Sequence, residues 1–167
     1  WMLWESYVSW DRIVSKEAGV YLGYTLYGRD TGGLTFRMNL TVSGDSMLSY
    51  NNSIGYNKWH HVVGTYDGSY MNLYLDGNRL LAPTAKSGNL QSSGTNLNIG
   101  KNSSASGSYF NGIIDDVRIY NQAVSFSQIQ ENYYFGLNKL VSNYNINKEE
   151  FAKRIFYLKS SIGKKII

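Results

Sequence analysis

Residues 35–42 read Thr35-Phe36-Arg37-Met38-Asn39-Leu40-Thr41-Val42, an unbroken alternation of polar and apolar side chains. Successive side chains of a strand point to opposite faces of its sheet. Phe36, Met38, Leu40 and Val42 are therefore expected to face a core, with Thr35, Arg37, Asn39 and Thr41 turned outward. Val20, Leu22, Tyr24 and Leu26 alternate in the same way with Tyr21, Gly23, Thr25 and Tyr27. Residues 58–66 and 70–76 predict two further strands, joined by Asp67-Gly68-Ser69, a turn in which Gly accepts positive φ. Asp76-Gly77 predicts a second turn into a strand at 79–82, and shorter strands are expected at 96–100 and 112–120. Gly-, Ser- and Asn-rich stretches at 32–33, 44–45, 87–95 and 102–108 recur at the spacing of an antiparallel sandwich.

Composition supports an all-β reading. The 167 residues are 43% hydrophobic, enough for a core and too apolar for a disordered tail. Only 17% are charged, whereas a helical bundle or coiled coil needs far more Lys, Glu and Ala. With Cys at 0, disulfide scaffolds, thiolate metal sites and cysteine nucleophiles are excluded. No apolar run is long enough for a transmembrane segment. The chain opens Trp1-Met2-Leu3-Trp4, with no initiator Met and no basic-then-apolar leader, as expected of a processed chain or a piece of a longer one.

After Asn121 the periodicity becomes helical. Ser125-Phe126-Ser127-Gln128 is a capping-box pattern that predicts a short helix to about Tyr134. A second helix is expected from Asn147, with Glu149 and Glu150 in its first turn and an apolar stripe of Phe151, Ile155, Leu158 and Ile162. Such a stripe is expected to dock on the parent domain or on a partner. Residues 1–135 thus read as the β domain and 136–167 as a basic, partly helical extension. The net charge of +4 belongs to that extension. Lys139, Lys148, Lys153, Arg154, Lys159, Lys164 and Lys165 stand there against Glu149 and Glu150, so the preceding body is nearly neutral. A nucleic-acid partner is not expected from a footprint confined to a solvated helix face.

Three segments carry a family resemblance. Lys58-Trp59-His60-His61-Val62-Val63-Gly64-Thr65-Tyr66-Asp67-Gly68, then Leu73-Tyr74-Leu75-Asp76-Gly77, then Gly112-Ile113-Ile114-Asp115-Asp116-Val117-Arg118-Ile119-Tyr120 continuing through Ser125, resemble the laminin-G-like domains of the concanavalin A-like lectin/glucanase superfamily. The resemblance spans roughly residues 10–135 and implies an antiparallel jelly-roll β-sandwich with a short C-terminal helical extension. The family begins with one or two strands before the segment matching 1–10, so an open sheet edge is implied, to be covered by the tail, another chain or further residues. A secreted or cell-surface location follows from the resemblance alone.

Glycoside hydrolases occur in that superfamily, and retaining hydrolysis needs two carboxyl groups about 5–5.5 Å apart. No Glu-x-Asp-x-x-Glu strand is present, and the neighbours Asp115 and Asp116 point to opposite faces of a strand. A non-catalytic module is expected. Asp115 alternates with Ile113, Val117 and Ile119, and His61 with Trp59 and Val63, so a structural polar pair of His61 and Asp115 is expected inside the sandwich. Relatives bind calcium, and the resemblance implies Asp30, Asp45, Asn111 and Asp116 as oxygen donors for that ion. A glycan ligand is expected at the rim loops, with Tyr109 and Phe110 beside loop 101–111, Asn102 within it, and Tyr70 at a hairpin tip. The rival expectation is a domain that binds a surface protein or neighbouring subunits of a larger assembly. Asn39, Asn51 and Asn102 each begin an Asn-x-Ser/Thr tripeptide, an acceptor for N-glycans in a secreted protein.

Overall fold

Alternating side chains build strands here, and the strands build two facing layers. The computed structural model describes residues 1–6, 10–19, 22–103, 108–143 and 145–163. Its strands in chain order are β1 (Met2–Trp4), β2 (Arg12–Ala18), β3 (Leu22–Gly28), β4 (Leu34–Leu40), β5 (Gly44–Tyr50), β6 (Trp59–His60), β7 (Val62–Tyr66), β8 (Tyr70–Leu75), β9 (Asn78–Arg79), β10 (Thr84–Ala85), β11 (Asn98–Ile99) and β12 (Gly112–Ile114). One layer is the antiparallel sheet β11-β2-β3-β4-β5. The other is made of two ladders, β12-β1-β6 and β10-β8-β7 with β9 also on β8, which meet where β6 passes through His61 into β7.

Register decides what faces inward. Leu26, Phe36 and Leu48 form one cross-strand row, and Tyr24, Met38 and Ser46 the next. They oppose Met2, Trp4, Met71 and Leu73 of the second layer in a single apolar cluster. Each such large side chain contributes roughly 1.5–3 kcal/mol on burial. The layers approach so closely that a Cβ on Gly64 would stand 2.7 Å from the Phe36 ring, which is why that position carries no side chain. The outer face of the five-stranded sheet carries a buried ion pair instead. The Arg12 guanidinium donates to Glu17 Oε1 at 2.8 and 2.9 Å and lies 4.5 Å from the centre of the Tyr27 ring.

Several expectations are corrected. Val42 is 73% exposed, because the chain turns at Thr41, whose N–H bonds the Asn89 carbonyl. Val20 and Tyr21 lie outside the described residues. The last strand stops at Ile114 instead of running to Tyr120, and Asp116 has φ of +52°. Its phase is also reversed: Ile114 packs on the core, whereas Ile113 and Ile119 are exposed. Asp115 is therefore exposed too, bonding Lys139 Nζ at 3.3 Å, and the expected His61–Asp115 pair does not form.

Ser125 caps helix α1 (Phe126–Ser142), its Oγ accepting the Gln128 N–H at 3.2 Å. The helix continues past Tyr134 because its buried stripe runs on through Ile129, Tyr133, Gly136, Leu137 and Leu140. The expected boundary between residues 135 and 136 thus falls inside α1. Helix α2 (Lys148–Gly163) starts after Asn147, whose Oδ1 accepts the Glu150 N–H at 2.8 Å. Phe151, Ile155 and Leu158 pack against Tyr133 and Leu137, while the side chain of Ile162 lies outside the described residues. Arg154 is held by Glu150 at 2.8 Å and donates to the Trp59 carbonyl, which fastens the basic extension to β6.

Candidate functional site

Trp4, at the end of β1, is fully buried, and the chemistry of one rim is organised around it. Its indole Nε1 donates to Asp11 Oδ2 at 2.6 Å, and Phe110 stacks on its ring at 6.1 Å between centroids. Tyr56 meets the ring edge-on at 5.9 Å. Gly28 lies beneath the indole, where a Cβ would collide with the six-membered ring.

Backbone bonds draw four loops to this end. Asn57 N–H donates to the Trp4 carbonyl at 2.7 Å, Glu5 N–H to Asn111 at 3.1 Å, Ile54 N–H to Gly32 at 3.1 Å and Arg12 N–H to Ser108 at 3.3 Å. The result is a group of rings presented to solvent around a buried one: Trp10 is 48%, Tyr56 38% and Tyr109 62% exposed. Trp10 rests on Tyr27 at 5.7 Å, and its carbonyl accepts from Arg12 Nη1 at 3.1 Å. Arg29 lies at the same end with its Nε buried and without a hydrogen-bond partner.

Three residues of this rim hold left-handed backbone, Trp10 at φ +67°, Asn57 at +56° and Ser108 at +55°. A bulky residue such as Trp is rare there, and strain of this kind costs roughly 1–3 kcal/mol and concentrates at functional sites.

The expected ligand residues divide between the two ends. Tyr109 and Phe110 belong to the Trp4 rim, although Phe110 packs on the core instead of facing solvent. Asn102 is not brought there: the next residue, Ser103, is held along β2 by Ser15 and Glu17. Tyr70 sits at the other end, where Lys86 N–H bonds the Ser69 carbonyl and Ser43 N–H bonds that of Ser87. Sequence reasoning missed Trp10 and Tyr56. Nothing in their neighbours' pattern distinguishes them, because both stand outside regular strands.

The expected calcium donors are not gathered into a shell. Asp30 lies exposed in the turn after β3, and Asn111 on the same rim commits its amide nitrogen to Ser6 Oγ at 2.6 Å. Asp45 is paired twice with Arg37 in the β4–β5 hairpin. Asp116 is paired twice with Arg118, at 3.0 and 3.1 Å. No cluster of three His, Cys, Asp or Glu side chains exists among the described residues. The donors do not fit the six to eight oxygen ligands that the ion takes.

His61 forms no ion pair with a carboxylate among the described residues. Its ring lies between Trp1 at 5.2 Å and Tyr133 at 6.0 Å, its Nδ1 is buried and unbonded, and burial pushes its pKa down to about 4. The carboxylate that organises this corner is Asp76, which holds His60 Nδ1 and the His61 N–H, each at 2.9 Å.

The antiparallel β-sheets accord with the family comparison, in which a laminin-G model of the concanavalin A-like lectin/glucanases superfamily matches residues 1–130. The chain belongs to that superfamily. Comparison with curated proteins yields no match. Among solved structures, this laminin-G-like chain is similar to an S-layer domain-containing protein from Clostridium thermocellum, with 20% identity and a TM-score of 0.42. The alignment covers 77% of this chain and 64% of that one. No helix among the described residues is long and apolar enough to cross a membrane.

Proposed function

We propose that this laminin-G-like domain is a non-catalytic extracellular recognition module that binds glycan at the Trp4 rim. The observation carrying this reading is the group of exposed rings, Trp10, Tyr56 and Tyr109, held over a buried tryptophan by strained backbone. Aromatic faces stack on the apolar C–H surface of a sugar ring, and the exposed Asn111 and Ser6 supply polar groups for hydroxyls beside them. The adjacent acids Asp115 and Asp116 are engaged by different cations, Lys139 and Arg118, which supports a binding reading over a hydrolytic one. Membership of a superfamily that contains lectins and displays such domains outside cells supports the compartment and the ligand class together.

A glycan array probed with the whole chain tests the proposal. Retention of one structural class of oligosaccharide, reduced by Trp10→Ala or Tyr109→Ala, is the expected result. Uniform absence of binding across plant, bacterial and animal glycans would overturn it.

A second reading, a structural or protein-binding domain of a surface assembly, is favoured by the exposed Phe135, Phe156 and Tyr157 on the two helices. Concentration-dependent self-association abolished by Phe156→Ser would favour it instead.

A further inference from the structure

Gly28 lies beneath the Trp4 indole, on the core side of β3, and Arg29 after it turns to the outer face of the five-stranded sheet. It meets there one end of a cross-strand row, Arg12, Tyr27, Thr35 and Ser49, set by the register of β2 to β5. Arg29 Nη1 reaches the hydroxyls of Thr35 and Ser49 only at 3.5 and 3.4 Å, and those two hydroxyls bond each other at 2.9 Å. Its Nε is buried and out of a ligand's reach. Nη2 makes no hydrogen bond among the described residues and is not buried, so it is the donor left facing solvent.

The other arginines all have partners. Arg12 pairs with Glu17, Arg37 with Asp45, Arg118 with Asp116 and Arg154 with Glu150. The exposed Arg79 rests on the Tyr74 ring at 5.7 Å. Arg29 is half-buried and pairs with no carboxylate among the described residues, not even its exposed chain neighbour Asp30. A guanidinium withdrawn from water beside neutral hydroxyls lacks the solvation that an acid would restore.

The turn that carries Arg29 belongs to the Trp4 rim. Arg29 N–H donates to the Gly33 carbonyl at 3.0 Å, and Gly32 N–H to the Arg29 carbonyl at 2.9 Å. A Cβ on Gly32 would stand 3.2 Å from the Tyr56 hydroxyl, so the turn abuts one of the exposed rings. Trp10, another of them, lies over Tyr27 in the row that Arg29 meets.

We propose that Arg29 receives the carboxylate of an acidic sugar, so that the ligand of the Trp4 rim is an oligosaccharide containing uronic acid. This rests on the glycan reading of the rim and narrows it. Nη2 donates to the carboxylate in a charge-assisted bond, while the rings of Tyr56 and Trp10 flank the sugar. An acidic sugar is favoured over an acidic peptide because the groups beside Arg29 are aromatic faces and hydroxyls, the partners of a sugar's C–H surface and its OH groups.

Titration calorimetry of the whole chain tests this. It compares oligomers of glucuronic, galacturonic and mannuronic acid with the same oligomers after reduction of their carboxyl groups, and with polyglutamate. The expected result is that an acidic oligomer binds roughly tenfold more tightly than its reduced form, a charge-assisted bond being worth that much. The difference is expected to shrink as salt is raised. Arg29→Gln is expected to bring the acidic oligomer down to the affinity of the reduced one, and Arg29→Lys to keep part of the preference. The salt series uses the wild-type chain and is read whether or not Arg29→Gln folds. Reduced oligomers bound as tightly as acidic ones, with Trp10→Ala weakening both, would overturn this inference and leave the rim reading standing. An acid preference kept in Arg29→Gln, or polyglutamate bound as tightly as the oligomer, would overturn it as well. Binding of neither form would remove the rim reading and this inference together.

Discussion

One carboxylate of Asp76 holds two consecutive histidines, His60 through its ring Nδ1 and His61 through its backbone N–H, both at 2.9 Å. It also sits at φ +49° in the turn before Gly77, a conformation that Asp and Asn tolerate best among residues with side chains. Asp76→Ala is expected to cost about 1–3 kcal/mol, since it strands a buried ring nitrogen and an amide. Asp76→Asn keeps an acceptor and the turn, and is expected to cost less than half as much. Urea midpoints of the two variants check this, and equal losses would contradict it.

The buried His61 makes stability depend on pH. Burial is the largest cause of its depressed pKa, aided by the Trp1 amino group and Arg118 and opposed by Asp76 and Asp116. With a value of about 4 in the fold against the ordinary 6.5, the unfolded chain binds the proton more readily. The stabilisation is complete above pH 6.5 and is lost as pH falls through about 4, by roughly 2–3 kcal/mol. Urea unfolding at pH 7 and pH 4 is expected to display this loss, and His61→Phe to remove much of it. An unchanged pH dependence in the variant would contradict the assignment.

Gly136 tests the seating of α1 on the sandwich. In a free helix Gly136→Ala would gain about 1 kcal/mol of propensity. Here the added Cβ enters the Trp1 indole, so the substitution is expected to destabilise instead. Combining it with Trp1→Ala is expected to recover part of the loss, a coupling of at least about 1 kcal/mol in a double-mutant cycle. Additive effects would mean that the helix and β1 are not in contact at this point.

Strands, turns and caps were legible in the sequence because each rests on a local rule. The alternation at Phe36, Met38 and Leu40 recurs as the inner face of β4, and Ser125 and Asn147 cap the helices as their patterns predict. What failed depends on where the local rule stops. Val42 continues the alternation in sequence, yet the chain has already turned at Thr41. Asp115 reads as inward only if the strand is straight and in phase through Tyr120, whereas pairing with β1 fixes the phase at Ile114 and Asp116 breaks the extension. The rim is a tertiary property. Trp10, Tyr56 and Tyr109 lie in different loops, and only the register of β1 against β6 and β12 brings those loops to the same end as Trp4. Tyr70, alike in residue type and hairpin context, is carried by the same register to the opposite end.

That division between the two ends gives the most direct measurement. With an oligosaccharide retained on an array, titration calorimetry compares the wild-type chain with Trp10→Ala, Tyr109→Ala and Tyr70→Ala. Losing a stacked ring is worth about 1 kcal/mol, so each of the first two variants is expected to bind roughly fivefold more weakly, with folding unimpaired. Tyr70→Ala is expected to bind as the wild type does. A loss at Tyr70 with Trp10 and Tyr109 indifferent would contradict the account.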